Sequence, residues 1–269
     1  MKIKFLFITI FLVLFALNSS AAEKRVILTT LTDFAPNCFA KPNAYRSAIE
    51  VIPPGKDSLQ LQGYSWDVVR ESFHVMGYTI ELMVAPWSRS MLYIKKRKAD
   101  LIFPATKTQQ RQQLYYYSKE IVDETKVVIY FNPMSDFQWN GIKSLDGLVI
   151  ATVRGWAYGK IWEASTAIVK DPSSTILQGF KMLDKGRVFG VVGYEDSFDY
   201  ILKKQNLNQN YQKTPPLDFI ADYIIGLKSN KNMRFINDFD HGVQKITKNG
   251  MLHQLHKRWE DSIIINNKN

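Results

Sequence analysis

An arginine preceded by hydroxyl side chains follows a short apolar segment in the first half of the chain. Residues 100–103 are typical of a buried strand, and Thr106, Thr108 and Arg111 come shortly after them. A guanidinium presents a planar fork of N–H donors that matches a carboxylate or another small anion. The spacing therefore predicts an anion-binding position here, with an exposed arginine in a glutamine-rich turn as the alternative.

The elements that must position these residues alternate between strand and helix. The predicted strands are residues 25–32, 78–84, 100–103, 126–131, 148–153, 188–192 and 222–227. Helices are predicted over residues 65–76 and 175–185. A further helix is predicted to be capped by Ser88, with Met91, Leu92 and Ile94 pointing inward. Two helices are predicted at the C-terminal end, separated by a break at Asn249 and Gly250. Residues 37–63 are interpreted as a long loop, with a short hairpin inside it as an alternative. Units of this order and length predict an α/β fold with parallel strands.

Side chains that follow the ends of these strands are expected to meet. In open α/β sheets, ligands bind beyond the carboxyl ends of the strands. Phe34 follows the first predicted strand, Trp87 follows the second, and the segment 106–111 follows the third. They can therefore converge on one cleft, although core packing would also explain the two aromatic side chains.

The first 22 residues predict an export signal. Lys2 and Lys4 precede an apolar run that ends at Leu17, and small residues up to Ala22 suit a signal peptidase. The run is shorter than the roughly 20 apolar residues of a membrane span, so an uncleaved anchor is the less favoured alternative. We therefore expect a periplasmic protein with a core of one large domain or two lobes of about 100–150 residues.

The composition limits which binding partners, disulfides and metal sites are expected. The formal net charge of +10 suggests acidic solutes or an anionic membrane surface, and an exported chain is not expected to bind nucleic acid. Cys38 is the only cysteine, so no disulfide can form within the chain. His253 and His256 could share a metal ion on the last helix, but solvated histidines are the favoured interpretation. No cofactor and no metal are expected.

The order of these pieces is similar to that of the bacterial extracellular solute-binding proteins of family 3, whose best-known members bind polar amino acids for ABC transporters. The matching signatures are Gly63-Tyr64-Ser65-Trp66-Asp67-Val68-Val69, Ala99-Asp100-Leu101-Ile102 ahead of Thr108-Gln109-Gln110-Arg111, Gly186-Arg187-Val188, and Asn249-Gly250-Met251 before Trp259. The resemblance covers nearly all of the chain beyond the signal. It implies a type II periplasmic binding fold, in which two α/β lobes are joined by two crossover strands. Lobe 1 would comprise residues 23–128 and 222–269, and lobe 2 residues 129–221.

The resemblance also implies roles for individual residues. Arg111 matches the family arginine that pairs with the α-carboxylate of the ligand, and Thr106 matches a hydroxyl position that helps to hold it. Trp87 and Phe34 match the positions that sandwich the ligand side chain. Aromatic faces can stack on planar or cationic groups.

The second lobe departs from the family pattern. Tyr194 stands where an acid normally meets the α-ammonium, and Glu195 or the following Asp196 could substitute for that acid. Trp156, in a loop with Tyr158, replaces a small hydroxyl residue. These changes favour a small carboxylate-bearing solute over a typical free amino acid, and they motivate the hypothesis of an aromatic or cyclic ligand.

The implied function is capture of that solute, by a monomer, for an inner-membrane ABC permease. Two alternatives stay open on the sequence alone. The chain could be a stand-alone sensor for a membrane receptor, or a periplasmic enzyme on the same fold. Asp33, Glu195 and Asp196 could serve as acid–base groups, but no arrangement in the sequence singles them out. We therefore expect a binding protein.

Overall fold

The computed structural model describes residues 24–42, 48–132, 134–207 and 211–265. The predicted signal peptide lies outside these ranges. Within them, no helix combines the length and the apolar character that a membrane span requires.

The described ranges contain strands and helices in the alternating order expected. The strands are β1 Lys24–Thr30, β2 Asp33–Phe34, β3 Cys38–Ala40, β4 Glu50–Ile52, β5 Leu61–Gln62, β6 Tyr78–Val84, β7 Leu101–Thr106, β8 Tyr115–Tyr117, β9 Asp123–Phe131, β10 Val149–Val153, β11 Val169–Ser173, β12 Gly190–Tyr194, β13 Gln212–Lys213 and β14 Asp218–Leu227. The helices are α1 Tyr64–His74, α2 Trp87–Lys95, α3 Gln109–Leu114, α4 Gly159–Ala164, α5 Ile176–Asp184, α6 Glu195–Lys204, α7 Asn230–Lys248 and α8 Met251–Ile265.

A mixed sheet runs through the molecule, with the antiparallel pair β9 and β14 at its centre. On one side of this pair, β1 lies parallel between β6 and β7. On the other side, β10 lies parallel between β11 and β12. The sheet therefore forms two α/β lobes joined by two crossover strands, as the resemblance implies. We call the β1 side the first lobe and the β10 side the second lobe.

The segment between the first strand and the first helix is more ordered than predicted. There β3 pairs with β2 and β5 in a small separate sheet, and β4 extends the edge of the main sheet beside β6. The interpretation of residues 37–63 as a loop was therefore wrong in part. Strands of two or three residues are too short to show the alternation by which strands are recognised.

The start of α2 also differs from the prediction. The helix begins at Trp87 with Pro86 as its N-cap residue, so Ser88 does not cap it. Leu92 is 44% exposed rather than inward. Ser90 is buried instead, and its hydroxyl donates to the carbonyl oxygen of Thr30 at 3.0 Å. This bond ties the start of α2 to the end of β1, which fixes Trp87 beside the cleft.

Two of the quoted sequence signatures meet in space. The Asp67 carboxylate on α1 accepts a hydrogen bond from the Trp259 indole N–H on α8 at 2.8 Å. Beside Asp67, the Trp66 side chain is fully buried in the core. The C-terminal helix is therefore held against the first lobe by a charge-assisted hydrogen bond.

Helices α1 and α7 approach so closely that only glycine fits between them. A Cβ atom on Gly242 would lie 2.1 Å from the carbonyl oxygen of Ser72. Real Cβ atoms do not approach backbone so closely, so any larger residue must push the helices apart. A Cβ atom on Gly179 of α5 would meet side-chain atoms alone, of which the nearest is a methyl carbon of Val191 at 3.1 Å.

We expect Gly242→Ala to destabilise the protein by about 1–3 kcal/mol, because the overpacking cost exceeds the gain of about 1 kcal/mol in helix propensity. Gly179→Ala is the matched control and should be close to neutral, since a side chain can move aside. Chemical denaturation of both variants measures the difference. Equal stabilities would contradict the close approach of α1 and α7.

Candidate functional site

Arg111 lies in the first turn of α3, directly beyond the end of β7. The Thr108 hydroxyl accepts a hydrogen bond from the backbone N–H of Arg111 at 3.1 Å, which caps the helix. This cap fixes where the helix starts and so turns Arg111 toward the second lobe. The hydroxyl before the arginine therefore has a positioning role.

A small cavity lies between the two lobes at this point. Its lining residues are Leu31, Phe34, Trp87, Pro104, Thr106, Arg111, Trp156, Ala157, Tyr194 and Asp222. The free volume is about 20 Å³, enough for roughly one water molecule. The lobes are therefore closed in this structure, and side chains fill most of the space between them.

The Arg111 guanidinium joins the two lobes. One terminal nitrogen donates to the carbonyl oxygen of Thr106 in the first lobe at 3.0 Å. The other donates to the carbonyl oxygen of Gly155 in the second lobe at 3.1 Å. The group also lies over the Trp87 ring, 5.4 Å from its centroid, in a cation–π contact. Its charge is thus met by neutral carbonyls and a ring.

Three aromatic rings pack together across the cavity. Trp156 and Tyr194 of the second lobe are stacked, with centroids 5.2 Å apart and 21° between their planes. Phe34 of the first lobe meets both edge-on, at 5.4 and 5.5 Å. Phe34 and Tyr194 are buried, whereas Trp156 is half-buried. Trp156 is therefore the ring that can move with least loss of packing.

A chain of polar groups runs from the crossover strands into the second lobe. The Thr106 hydroxyl donates to the Asp222 carboxyl at 2.7 Å and lies 3.1 Å from the Tyr194 hydroxyl. Tyr194 in turn donates to the carbonyl oxygen of Ala157 at 2.6 Å. These bonds connect β7, β14 and β12 through side chains that are all buried.

Asp222 occupies an unusual electrostatic position. It is 2% exposed, and in the sheet it pairs with Thr106 on one side and with Asp123 on the other. Burial raises the pKa of Asp222 to about 6, although the Thr106 hydroxyl and Arg111 act in the opposite direction. Burial, together with the facing Asp222, raises the pKa of Asp123 well above its usual range. Two neighbouring carboxyl groups, the buried Asp222 and the half-buried Asp123, therefore lie near one guanidinium.

A wider groove opens beyond Arg111 and Trp156 on the surface. It has a volume of about 960 Å³ and continues between α3 and the loop before α4. Lys107 and Lys160 lie on its walls, with Glu163 and several glutamine side chains. The groove offers a basic entrance to the cavity.

The structure places six of the eight predicted site residues on the cavity wall. These are Phe34, Trp87, Thr106, Arg111, Trp156 and Tyr194. Tyr158 lies behind Tyr194, where its hydroxyl accepts from the backbone N–H of Val153 at 2.8 Å. Glu195 starts α6 and pairs with Lys213 at 3.1 Å rather than lining the cavity.

The sequence-based reasoning did not single out Asp222. The signal was available, because an acidic residue interrupts an otherwise apolar strand in β14. Charged residues are rarely buried without a partner, so such an interruption deserves a functional hypothesis. Leu31, Pro104 and Ala157 were also not named as wall residues, and their small or apolar side chains give no comparable signal.

Comparisons with known proteins agree with this architecture. The family model for bacterial extracellular solute-binding proteins, family 3, matches residues 51–262. A search of curated proteins found no match. Among solved structures, a mutant ArgBP from T. maritima is 17% identical with a TM-score of 0.70, covering 88% of this chain and 95% of that one.

Two further solved structures are similar to the chain. An ABC uptake transporter substrate-binding protein from Streptococcus pneumoniae, with bound histidine, is 15% identical with a TM-score of 0.70 and covers 87% of this chain and 92% of that one. A histidine kinase sensor domain with similarity to periplasmic binding proteins is 18% identical with a TM-score of 0.72, and the match covers 88% of this chain and 96% of that one. At these identities the likeness shows the fold, which is the type II periplasmic binding fold. Because the family model spans most of its length, the chain belongs to the bacterial extracellular solute-binding proteins, family 3.

Proposed function

We propose that this chain is an exported periplasmic binding protein that captures a small carboxylate-bearing solute between its lobes. The observation that carries the proposal is the Arg111 guanidinium, which reaches into the interlobe cavity and is met there by neutral carbonyl oxygens. A carboxylate would form a stronger, charge-assisted pair with the same nitrogens. The interaction of Arg111 with a carboxylate would therefore be stronger than its present hydrogen bonds to the two carbonyl oxygens.

The position of Arg111 between the lobes would also couple solute binding to closure of the two lobes. Arg111 extends from the first lobe and bonds to Gly155 in the second. A solute held by Arg111 and by the second-lobe rings would contact both lobes only when they are closed. Ligand stabilises a closed state by its differential affinity for that state. We place lobe 1 at residues 23–128 and 222–269 and lobe 2 at 129–221, and the pairing of β9 with β14 supports this division.

The walls favour a solute with a planar or apolar part. Phe34, Trp87, Trp156 and Tyr194 surround the cavity, and its free volume is too small for an amino acid as the side chains now stand. Trp156 must therefore leave the ring cluster when a solute enters. An aromatic or cyclic solute would replace the ring contacts that Trp156 gives up.

We further propose binding rather than catalysis, with an inner-membrane ABC permease as the partner and no cofactor. The cavity offers one cation, one acid, two hydroxyls and several rings, a set suited to holding a solute in place. The similar S. pneumoniae protein is described as part of an ABC uptake transporter, which supports this partner.

A sensor is the second candidate function, supported by the likeness to the histidine kinase sensor domain. The cavity would serve either role equally well. Co-purification from membranes of the source bacterium separates them, since an importer component should associate with a permease and a sensor component with a membrane receptor. Measured turnover of a bound compound would instead support an enzyme.

Replacing Arg111 by alanine should weaken binding of any carboxylate by at least about 100-fold, because the ligand charge loses its partner in a dry site. A thermal-shift screen of amino acids, organic acids and aromatic carboxylates against the protein without residues 1–22 identifies the compounds. Arg154→Ala is the matched control, since this exposed arginine lines neither the cavity nor the groove. Unchanged affinity in Arg111→Ala would remove the guanidinium from the site.

Solute binding should also change tryptophan fluorescence, because Trp156 leaves its stack with Tyr194. Trp156→Phe should lose most of this change while binding persists. Trp139→Phe should keep it, since Trp139 does not line the cavity. If aliphatic amino acids bind with no change in emission, and aromatic carboxylates do not bind at all, the proposed displacement of Trp156 is wrong.

A further inference from the structure

A second groove with basic walls lies between the lobes, apart from the cavity that Arg111 enters. Its volume is about 650 Å³, which is in the range of sites that hold small molecules. It shares no lining residue with that cavity or with the basic entrance groove. We call it the α6–α8 groove, and its walls include three rings and three cations, namely Phe39, Tyr200, Trp259, Lys203, Lys204 and Arg258.

The three aromatic rings of the α6–α8 groove hold one another in place. Phe39 of β3 is 7% exposed, and its ring centroid lies 5.4 Å from that of Tyr200 and 5.9 Å from that of Trp259. Trp259 is fixed further, because its indole N–H donates to Asp67 at 2.8 Å. Tyr200 and Trp259 are half-buried, so both keep part of their surface accessible. The rings therefore offer a preorganised surface for a planar group.

Lys204 brings a positive charge to these rings. Its Nζ atom lies 5.8 Å from the ring centroids of both Phe39 and Tyr200. Lysines at the C-terminal end of a helix offset its dipole, and Lys203 and Lys204 end α6. That role requires no contact with the other lobe, yet Lys204 of the second lobe reaches Phe39 of the first. The helix dipole alone therefore does not account for where the Lys204 ammonium lies.

Arg258 adds a second charge from the opposite wall, on α8. Its guanidinium lies 3.5 Å from a carboxylate oxygen of Asp67, which also accepts the indole N–H of Trp259. This pair is longer than the about 2.7–2.9 Å of a direct charge-assisted hydrogen bond. The Arg258 side chain is 61% exposed, and a guanidinium carries five N–H donors. Arg258 therefore keeps the capacity to bind a further anion.

The charge of the groove is of one sign. No acidic side chain in the described part of the chain lines it, whereas three basic side chains do. Several cations around one space favour an anion, and they favour a doubly charged group over a singly charged one. Lysine and arginine are also the side chains that phosphate groups prefer. The rings and the cations together therefore match a planar molecule that carries a phosphate.

We propose that the α6–α8 groove is a second ligand site, which binds a small aromatic phosphate ester. The ring would pack against Phe39, Tyr200 and Trp259, and the phosphate would meet Lys204 and Arg258. Because α6 belongs to the second lobe and β3 and α8 to the first, the ligand would contact both lobes. This site is separate from the interlobe cavity, so it does not depend on the proposed function.

The test is a calorimetric titration of the purified protein with 1-naphthyl phosphate, and with its two parts, 1-naphthol and inorganic phosphate. The ester should bind at least about 10-fold more tightly than either part, because the ring and the charge both contribute. Added salt should weaken the binding of the ester, since the cations are accessible to solvent. These measurements use the unaltered protein and so do not depend on how a variant folds.

Lys204→Gln should weaken the binding of the ester by about 5-fold, because it removes one partly exposed charge and keeps most of the side-chain length. Lys228→Gln is the matched control and should bind the ester as the parent does. Lys228 also lies over a ring, 5.9 Å from the centroid of Tyr116, but it does not line the α6–α8 groove. Arg111→Ala should leave the affinity for the ester nearly unchanged, since Arg111 lines only the cavity and its entrance.

Any of four results would overturn the proposal. Binding of 1-naphthol as tight as that of the ester would show that the groove does not select an anion. Equal losses in Lys204→Gln and Lys228→Gln would indicate a general attraction to a basic protein. Loss of binding in Arg111→Ala would place the ester in the interlobe cavity instead. The absence of binding at about 1 mM ester, the range of weak small-molecule complexes, would leave no second site.

Discussion

A single guanidinium between two lobes is the constraint on which the rest of the site depends. Arg111 bonds to Thr106 in the first lobe and to Gly155 in the second, and it rests on the Trp87 ring. The direct contacts of this half-buried cation are neutral groups, and carbonyl dipoles and a ring offset its charge less than a directly bonded carboxylate would. That imbalance is the physical basis of the proposed preference for a carboxylate ligand.

The two crossover strands supply the opposite charge at the same place. Asp123 of β9 and Asp222 of β14 face each other in register, next to Thr106 at the end of β7. A row of three neighbouring strands thus carries two acids and a hydroxyl at the junction of the lobes. Closure of two lobes must bend the strands that connect them, so the candidate site and the connection between the lobes lie next to each other.

Much of the fold could be predicted because its signals are local. The strands around Val26 and Ile80 and the helices that end before Gly77 and Gly250 follow from apolar periodicity and from glycine at helix ends. The short strands β3, β4 and β5 could not be predicted, since their existence depends on partners far along the chain. Helix α6 was not among the predicted helices, and Glu195 and Asp196 lie in its first turn.

The candidate site could be predicted for those residues that come directly after the end of a strand. Phe34, Trp87 and Arg111 each come after a strand, and the topology brings them to one cavity. The tight packing of Trp156 on Tyr194 depends on how far the lobes close, which no local pattern encodes. Asp222 lies inside a strand rather than after one, so reasoning from strand ends passed over it.

The most direct test of this account is a crystal structure of the protein with a carboxylate compound that stabilises it against heat. The account predicts the carboxylate within about 2.7–3.1 Å of the Arg111 guanidinium nitrogens, with Trp156 moved out of its stack with Tyr194. A guanidinium that still bonds to both Thr106 and Gly155, with the compound bound elsewhere, would contradict it.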